Sequence, residues 1–127
     1  MTRIPENDRD LIEQAIYLPM IVIILERDLQ IIEKAPFKIN RPYLTFVENA
    51  LRKVQRDLKV VKSNMRKGNM KVQQIGHDES FTMYSFLYQG YEEQHNYFNP
   101  RLRNKCEELL DFYLNKKDLR TTHRNIT

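Results

Sequence analysis

The chain of 127 residues contains no tryptophan, one cysteine and three glycines. Its single thiol, Cys106, cannot form a disulfide within the chain, which favours a reducing compartment such as the cytoplasm. Three glycines are too few for the glycine-rich loops that cradle phosphates, so a nucleotide site of that kind is excluded. We therefore expect a cytoplasmic protein without a cofactor.

The chain also lacks a long hydrophobic run. The longest one, AIYLPMIVIIL at residues 15–25, falls well short of the roughly 20 apolar residues that span a bilayer. The first ten residues, MTRIPENDRD, are too acidic for the n-region of a secretory signal. With 41% hydrophobic and 30% charged residues the composition is that of a soluble globular domain. We expect no membrane partner, and the usage of Ile, Asn and Lys indicates an AT-rich bacterial or phage genome.

Two apolar repeats indicate two long helices. In residues 8–34 apolar side chains recur at alternating spacings of four and three, which is the seam pattern of packed helices. The second segment, residues 40–67, has a cleaner seam, with leucines and Met65 at one core position and valines at the other: Leu44, Val47, Leu51, Val54, Leu58, Val61 and Met65. The short connection suits antiparallel neighbours, so we predict a helical hairpin.

The first helix has a second apolar face, which includes Ile12, Ile16, Met20 and Ile23. A helix that is apolar on nearly all sides is buried on nearly all sides. It is therefore either the central element of the domain or an element that also faces a second copy of the protein. We predict that these four residues take part in self-association, as a homodimer.

Residues 69–98 are ambiguous. Phe81, Tyr84, Tyr88, Tyr91 and His95 follow a helical spacing, and this favours a further helix. However, FTMYSFLY is rich in strand-favouring residues, and MKVQQI could pair with it as a short β-hairpin. A glycine inside a helix costs about 1 kcal/mol, which counts against the helix. A lone two-stranded hairpin needs outside support, so the helix is preferred.

The last segment predicts a helix that begins at Asn99 and Pro100, residues typical of a helix start. Its buried stripe would contain Leu102, Cys106, Leu109 and Tyr113. We predict a mainly α fold: an antiparallel hairpin of two long helices plus a C-terminal helix, with region 69–98 either a further helix or a short β-hairpin. Residues 1–117 would form a single helical domain and residues 118–127 a flexible C-terminal tail.

Part of the second helix carries charge of one sign. Between Leu51 and Lys71 there are eight basic side chains and a single acid, Asp57. Six of the basic residues point away from the predicted seam: Arg52, Lys53, Arg56, Lys59, Arg66 and Lys67. A solvated helix face is the simplest interpretation, although such faces usually mix signs. Binding of nucleic-acid phosphates or of an acidic protein partner stays open.

No catalytic or metal-binding constellation is evident. Glu92 and His95 have Glu-x-x-His spacing, but a di-iron bundle needs two such pairs and two further carboxylates. The aromatic residues between 81 and 98 could stack on bases, although filling a core is the simpler interpretation. Cys106 lies on the apolar stripe of the last helix, as is typical of a buried thiol. We therefore expect no catalytic residue and no metal.

These patterns predict a small non-enzymatic regulatory or interaction protein. It would act through a protein–protein surface and self-associate. The alternative is a nucleic-acid-binding regulator that uses the basic outer face of the second helix.

Overall fold

The computed structural model of the chain describes residues 4–115. In chain order the elements are α1 (Glu6–Lys34), α2 (Arg41–Lys67), β1 (Met70–His77), β2 (Phe81–Tyr88), β3 (Tyr91–Phe98) and α3 (Asn99–Leu114). The two long helices pack on each other as a hairpin, and the strands form one antiparallel sheet in the order β1-β2-β3. The predicted flexible tail, residues 118–127, lies outside the described residues.

The prediction of a mainly α fold is wrong, because residues 70–98 form three strands and the fold is mixed α+β. Neither a further helix nor a short β-hairpin describes this region. Tyr84, Ser85 and Phe86 of β2 are all buried, and β2 pairs along its length with a strand on either side, so the helical spacing of the aromatic residues does not decide the structure. The support that a lone hairpin lacks comes from the third strand and from packing on the helices.

The turn between β2 and β3 depends on Gln89 and Gly90. Because Tyr88 pairs with Tyr91, the loop consists of Gln89 and Gly90 alone. Both residues have a positive φ, 49° for Gln89 and 90° for Gly90. Two consecutive positive φ values are characteristic of the type I′ turn, whose twist matches that of the flanking strands. The glycine that would weaken a helix is thus the residue that allows the hairpin.

Strand β1 lies at an edge of the sheet and is irregular. Its pairing with β2 shifts between Gln74 and Gly76, so Ile75 is the extra residue of a bulge. A bulge bends the strand and increases its twist. Such irregular edges pair poorly with strands of other molecules.

Asparagines mark two of the helix starts, but neither caps a helix with its side chain. Asn40 directly precedes α2, which ends before Gly68 as predicted. Asn99 instead ties α3 to the sheet, since its Nδ2 donates to the carbonyl oxygens of Asp78 and Glu79, both at 3.1 Å. Its Oδ1 accepts a hydrogen bond from the Thr82 hydroxyl at 2.7 Å.

The buried face of α2 is rotated from the predicted seam. Met65 and the three valines are buried as predicted: Val47, Val54 and Val61. The leucines of the seam are only half-buried: Leu44, Leu51 and Leu58. Ala50 and Asp57 are buried in their place, because α3 packs on that side of α2.

The first half of α1 is the central element of the fold. It packs on α2, on the sheet and on α3, and the hydrogen bonds and groove contacts that join it to the sheet and α3 fall between Asp8 and Ile23. We call α1 up to residue 22, with the part of α2 from residue 53 onward, the proximal half of the hairpin. The distal half comprises residues 23–52.

Candidate interaction surfaces

A groove between α1 and β1 brings together three of the four residues predicted for self-association. Its helical wall contains Ala15, Ile16, Pro19, Met20 and Ile23, and its sheet wall contains Val72, Gln73, Gln74 and Tyr84. The groove has a volume of about 240 Å³. Apolar side chains therefore line a recess beside an edge strand.

The four predicted residues differ in accessibility. Ile12 is fully buried and Ile16 is only 4% exposed, so both belong to the core of the single chain. Met20 is half-buried, with its Sδ 3.7 Å from the Sγ of Cys106, whereas Ile23 is 66% exposed. A self-association surface would therefore depend on Ile23 and Met20. The sequence pattern alone could not distinguish the buried Ile12 and Ile16 from the accessible Met20 and Ile23, since all four residues lie on one apolar face.

The six basic residues predicted for partner binding all lie on α2. Five of them are exposed and Lys53 is half-buried: Arg52, Lys53, Arg56, Lys59, Arg66 and Lys67. The Arg52 guanidinium donates a hydrogen bond to Oδ1 of Asn49 at 3.2 Å. Lys62 is exposed as well, and it extends the same positive surface. The structure thus keeps these cations together along one helix.

Asp57, the single acid of that stretch, does not contribute to the outer surface. It is 3% exposed, and its Oδ2 accepts a hydrogen bond of 2.7 Å from the hydroxyl of the fully buried Tyr113. A carboxylate held in a core needs such donors. From Asn49 to Lys67 every exposed side chain of α2 is consequently neutral or basic. Sequence reasoning missed this role of Asp57, because its partner lies 56 residues away.

Two tyrosines of the sheet fasten it to α1. The Tyr88 hydroxyl donates to Asp8 at 2.7 Å, and the Tyr97 hydroxyl donates to Glu13 at 2.8 Å. The hydrogen bond to Asp8 raises the pKa of Tyr88, while burial, followed by the bond to Glu13, raises the pKa of Tyr97. These side chains hold the sheet in place. The core-filling interpretation of the aromatic residues applies to Tyr84 and Phe86, which are buried, whereas Phe81, Tyr91 and Phe98 are exposed.

The Glu-x-x-His pair lies on a strand, so its helical geometry is absent. Residues three apart on a strand point to opposite faces. Glu92 accepts a hydrogen bond from the Ser85 hydroxyl at 2.5 Å, whereas the His95 ring stacks on Phe86 and its Nε2 lies 2.9 Å from Oε1 of Glu93. Within residues 4–115 no group of three or more His, Cys, Asp or Glu side chains could hold a metal ion.

The Cys106 thiol is buried on α3, and burial raises its pKa. A raised pKa lowers the thiolate fraction, and the thiolate is the reactive form. The ordinary interpretation as a packed thiol therefore agrees with its surroundings. In the described part of the chain no helix has the length and apolar character needed to cross a bilayer.

Comparisons with known proteins match the chain to one protein family and to one bacterial protein. The family model described as "YhjD protein" matches residues 3–118. The Bacillus subtilis (strain 168) protein with the name "Uncharacterized protein YhjD" is 42% identical over 114 residues, which cover 90% of this chain and 95% of that protein. No solved structure matches the chain. The bacterial source of this relative agrees with the indication from composition.

Proposed function

The chain belongs to the YhjD family, and we propose that it is a small non-enzymatic interaction protein that acts through a protein–protein surface and self-associates. The observation that carries the proposal is the groove between α1 and β1. Ile23 stands 66% exposed at this groove, beside Met20 and the apolar residues of its walls. An exposed apolar side chain next to an apolar recess favours a partner that covers both.

The rim of the groove supports a protein as its occupant. Gln73 and Gln74 line the groove, and both residues are exposed. A protein segment can fill the apolar recess and also form hydrogen bonds with the side chains of its rim. A second copy of the chain brings the same apolar residue to the contact, as in a two-fold interface.

Light scattering coupled to gel filtration tests this proposal. We expect a dimer for the wild-type protein and a monomer for Ile23→Glu, because a charge at the centre of an apolar contact must be desolvated. Ile75→Glu is the matched control, since Ile75 is also exposed but lies outside the groove. Both variants should keep the wild-type circular dichroism spectrum. A wild-type monomer at high micromolar concentration would contradict self-association.

A second candidate function is nucleic-acid binding through the outer face of α2. The observation that favours it is the burial of Asp57, which leaves the exposed side chains from Asn49 to Lys67 without an acid. Cations on one surface bind phosphates through release of condensed counterions. Sequence preference should be slight, because backbone contacts carry no base information.

Salt-dependent binding to duplex DNA and to RNA tests this second candidate. The slope of log affinity against log salt should be about −0.9 for each phosphate that the protein neutralises on duplex DNA. Replacing Arg52, Arg56 and Lys59 together by Glu should abolish binding. The matched control replaces three exposed cations of α3 by Glu: Arg101, Arg103 and Lys105. Equal losses in the two triple variants would mean that α2 is not the binding surface.

A further inference from the structure

The connection between α1 and α2 forms an exposed apolar end of the hairpin. Five large side chains are exposed there, and together we call them the hairpin tip: Ile31, Phe37, Ile39, Tyr43 and Phe46. Phe37 is 48% and Ile39 67% exposed, and the rings of Phe37 and Tyr43 stack with centroids 4.8 Å apart. The tip lies at the end of helices about 40 Å long, away from the contacts of α1 with the sheet and α3.

Positive charge accompanies these apolar residues. Lys34, Lys38 and Arg41 are all exposed, and Glu33 is the single acid between Ile31 and Phe46. The tip therefore combines aliphatic and aromatic side chains with three cations. Aromatic and basic residues together are typical of protein segments that contact the interface of a membrane.

The apolar area of the tip is modest. Five side chains exposed by about half offer on the order of 500 Å², if each fully exposed chain presents about 200 Å². A stable protein–protein interface buries about 800 Å² on each partner, of which a little over half is apolar, so the area alone does not decide between a protein and a lipid. The accompanying cations favour a lipid interface, because a few inserted apolar side chains and several cations near anionic headgroups suffice for reversible binding.

We propose that the hairpin tip docks on an anionic lipid surface. Phe37 and Ile39 insert among the headgroups, while Lys34, Lys38 and Arg41 contact the lipid phosphates. This peripheral contact needs no spanning helix, so it is compatible with the absence of such a helix from residues 4–115. It also goes beyond the proposed protein interaction, since it uses a different surface.

Sedimentation with vesicles tests the proposal on the full chain. We expect the wild-type protein to sediment with vesicles of phosphatidylglycerol and phosphatidylcholine but not with phosphatidylcholine alone. Replacing Lys34, Lys38 and Arg41 by Gln should weaken binding on the order of 100-fold, because each cation near an anionic surface contributes about fivefold. The double variant Phe37→Ser, Ile39→Ser should also lose binding, and circular dichroism should show that both variants stay folded.

The surface that meets the lipid can be identified directly, because the chain has no tryptophan. In Phe37→Trp the indole emission should shift to the blue when anionic vesicles are added. The control is Phe81→Trp, because Phe81 is exposed at the end of β2, away from the tip. The emission of the indole in this variant should not shift. Replacing Arg52, Arg56 and Lys59 by Gln is the control for adsorption through α2, and this variant should sediment like the wild type.

Three results would overturn the proposal. The first is a wild-type protein that does not sediment with anionic vesicles at low salt. The second is sedimentation that survives Phe37→Ser, Ile39→Ser but is lost in the α2 control variant, which would assign the lipid contact to the basic face. The third is a wild-type oligomer that the tip substitutions dissociate, which would make the tip a protein interface. Ile23→Glu leaves the tip intact, so failure of the proposed self-association would not affect these measurements.

Discussion

The proximal and distal halves of the hairpin belong to the same two helices, yet they are covered differently. Ile12 and Ile16 of the proximal half are buried beneath later parts of the chain, whereas Ile31 and Ile39 of the distal half are largely exposed. The residue type is the same in all four cases. An apolar pattern therefore identifies the helices, while the elements that follow them decide which apolar residues are covered.

This difference distinguishes the residues that stabilise the fold from the exposed apolar residues that are available to a partner. The proximal half, together with the sheet and α3 that cover it, holds most of the core. The distal half combines three buried residues, Leu25, Val47 and Ala50, with apolar side chains that stay exposed. Substitutions of buried residues should thus lower the free energy of unfolding, and substitutions of the exposed apolar residues of the distal half should leave it nearly unchanged. The four predictions that follow test this contrast, from the largest expected effect to the smallest.

The largest effect is expected for Phe86→Ala. Phe86 is fully buried at the centre of the sheet, and its ring stacks on His95. Removing such a side chain creates a cavity and should lower the free energy of unfolding by about 3–5 kcal/mol. Urea denaturation measures this loss. A decrease below about 1 kcal/mol would mean that the sheet does not depend on this contact.

Alkaline pH should destabilise the proximal half through Tyr17. Burial, followed by the charge of Glu13, raises the pKa of Tyr17 from 10.0 to about 12. A raised pKa in the folded state means that the stabilising contribution is complete below pH 10 and is lost as the pH rises toward 12. The loss should reach up to about 2.7 kcal/mol. In urea melts from pH 9 upward (roughly the onset of tyrosine titration), Tyr17→Phe should show a shallower decline, and parallel curves would contradict this assignment.

Tyr113→Phe should have a smaller effect, about 2 kcal/mol, because the buried Asp57 loses one hydrogen-bond donor. Tyr43→Phe is the matched control, since Tyr43 belongs to the exposed tip and its loss of a hydroxyl should leave the melt unchanged. A double-mutant cycle with Asp57→Ala, which removes the acceptor, measures the coupling between the two side chains. Additive losses would show that the hydroxyl and the carboxylate act independently.

The smallest effect is expected for Ile39→Ala. Its side chain is 67% exposed, so the free energy of unfolding should change by less than about 0.5 kcal/mol. Thermal or urea denaturation of the purified variant measures this change. A loss comparable with that of a core substitution would show that the distal half is covered in solution, for example by another molecule.

The helices of the fold could be predicted because their signals are local. Asn40 and Gly68 flank α2 where the sequence placed its ends, and Pro100 lies at the start of α3. The sheet could not be predicted in the same way, since the spacing of its aromatic residues also fits a helix. Strand β3, YEEQHNYF, carries its large apolar residues only at its ends, and the interior residues Glu93 and His95 are half-buried through their contact with each other and with Phe86.

The candidate surfaces were also predictable only where their signals are local. The positions of the cations on α2 follow from helical periodicity, and the structure exposes five of the six. The burial of Asp57 depends on Tyr113, a distant residue of α3, so no local pattern could indicate it. Likewise, Ile12 and Ile16 share an apolar face with Ile23, but only the docking of later elements decides which of them is covered.

The connections from α1 to the end of the chain also affect biosynthesis. The hydrogen bonds from Tyr88 to Asp8 and from Tyr97 to Glu13 join residues 80 and 84 positions apart. At about 5–20 residues per second, the ribosome needs on the order of 5–20 s to synthesise the partners of α1. The first helix is synthesised that long before the sheet, and the sheet does not cover its proximal apolar side chains during that interval. The nascent chain is therefore most exposed to chaperones and to aggregation before the sheet and α3 have emerged.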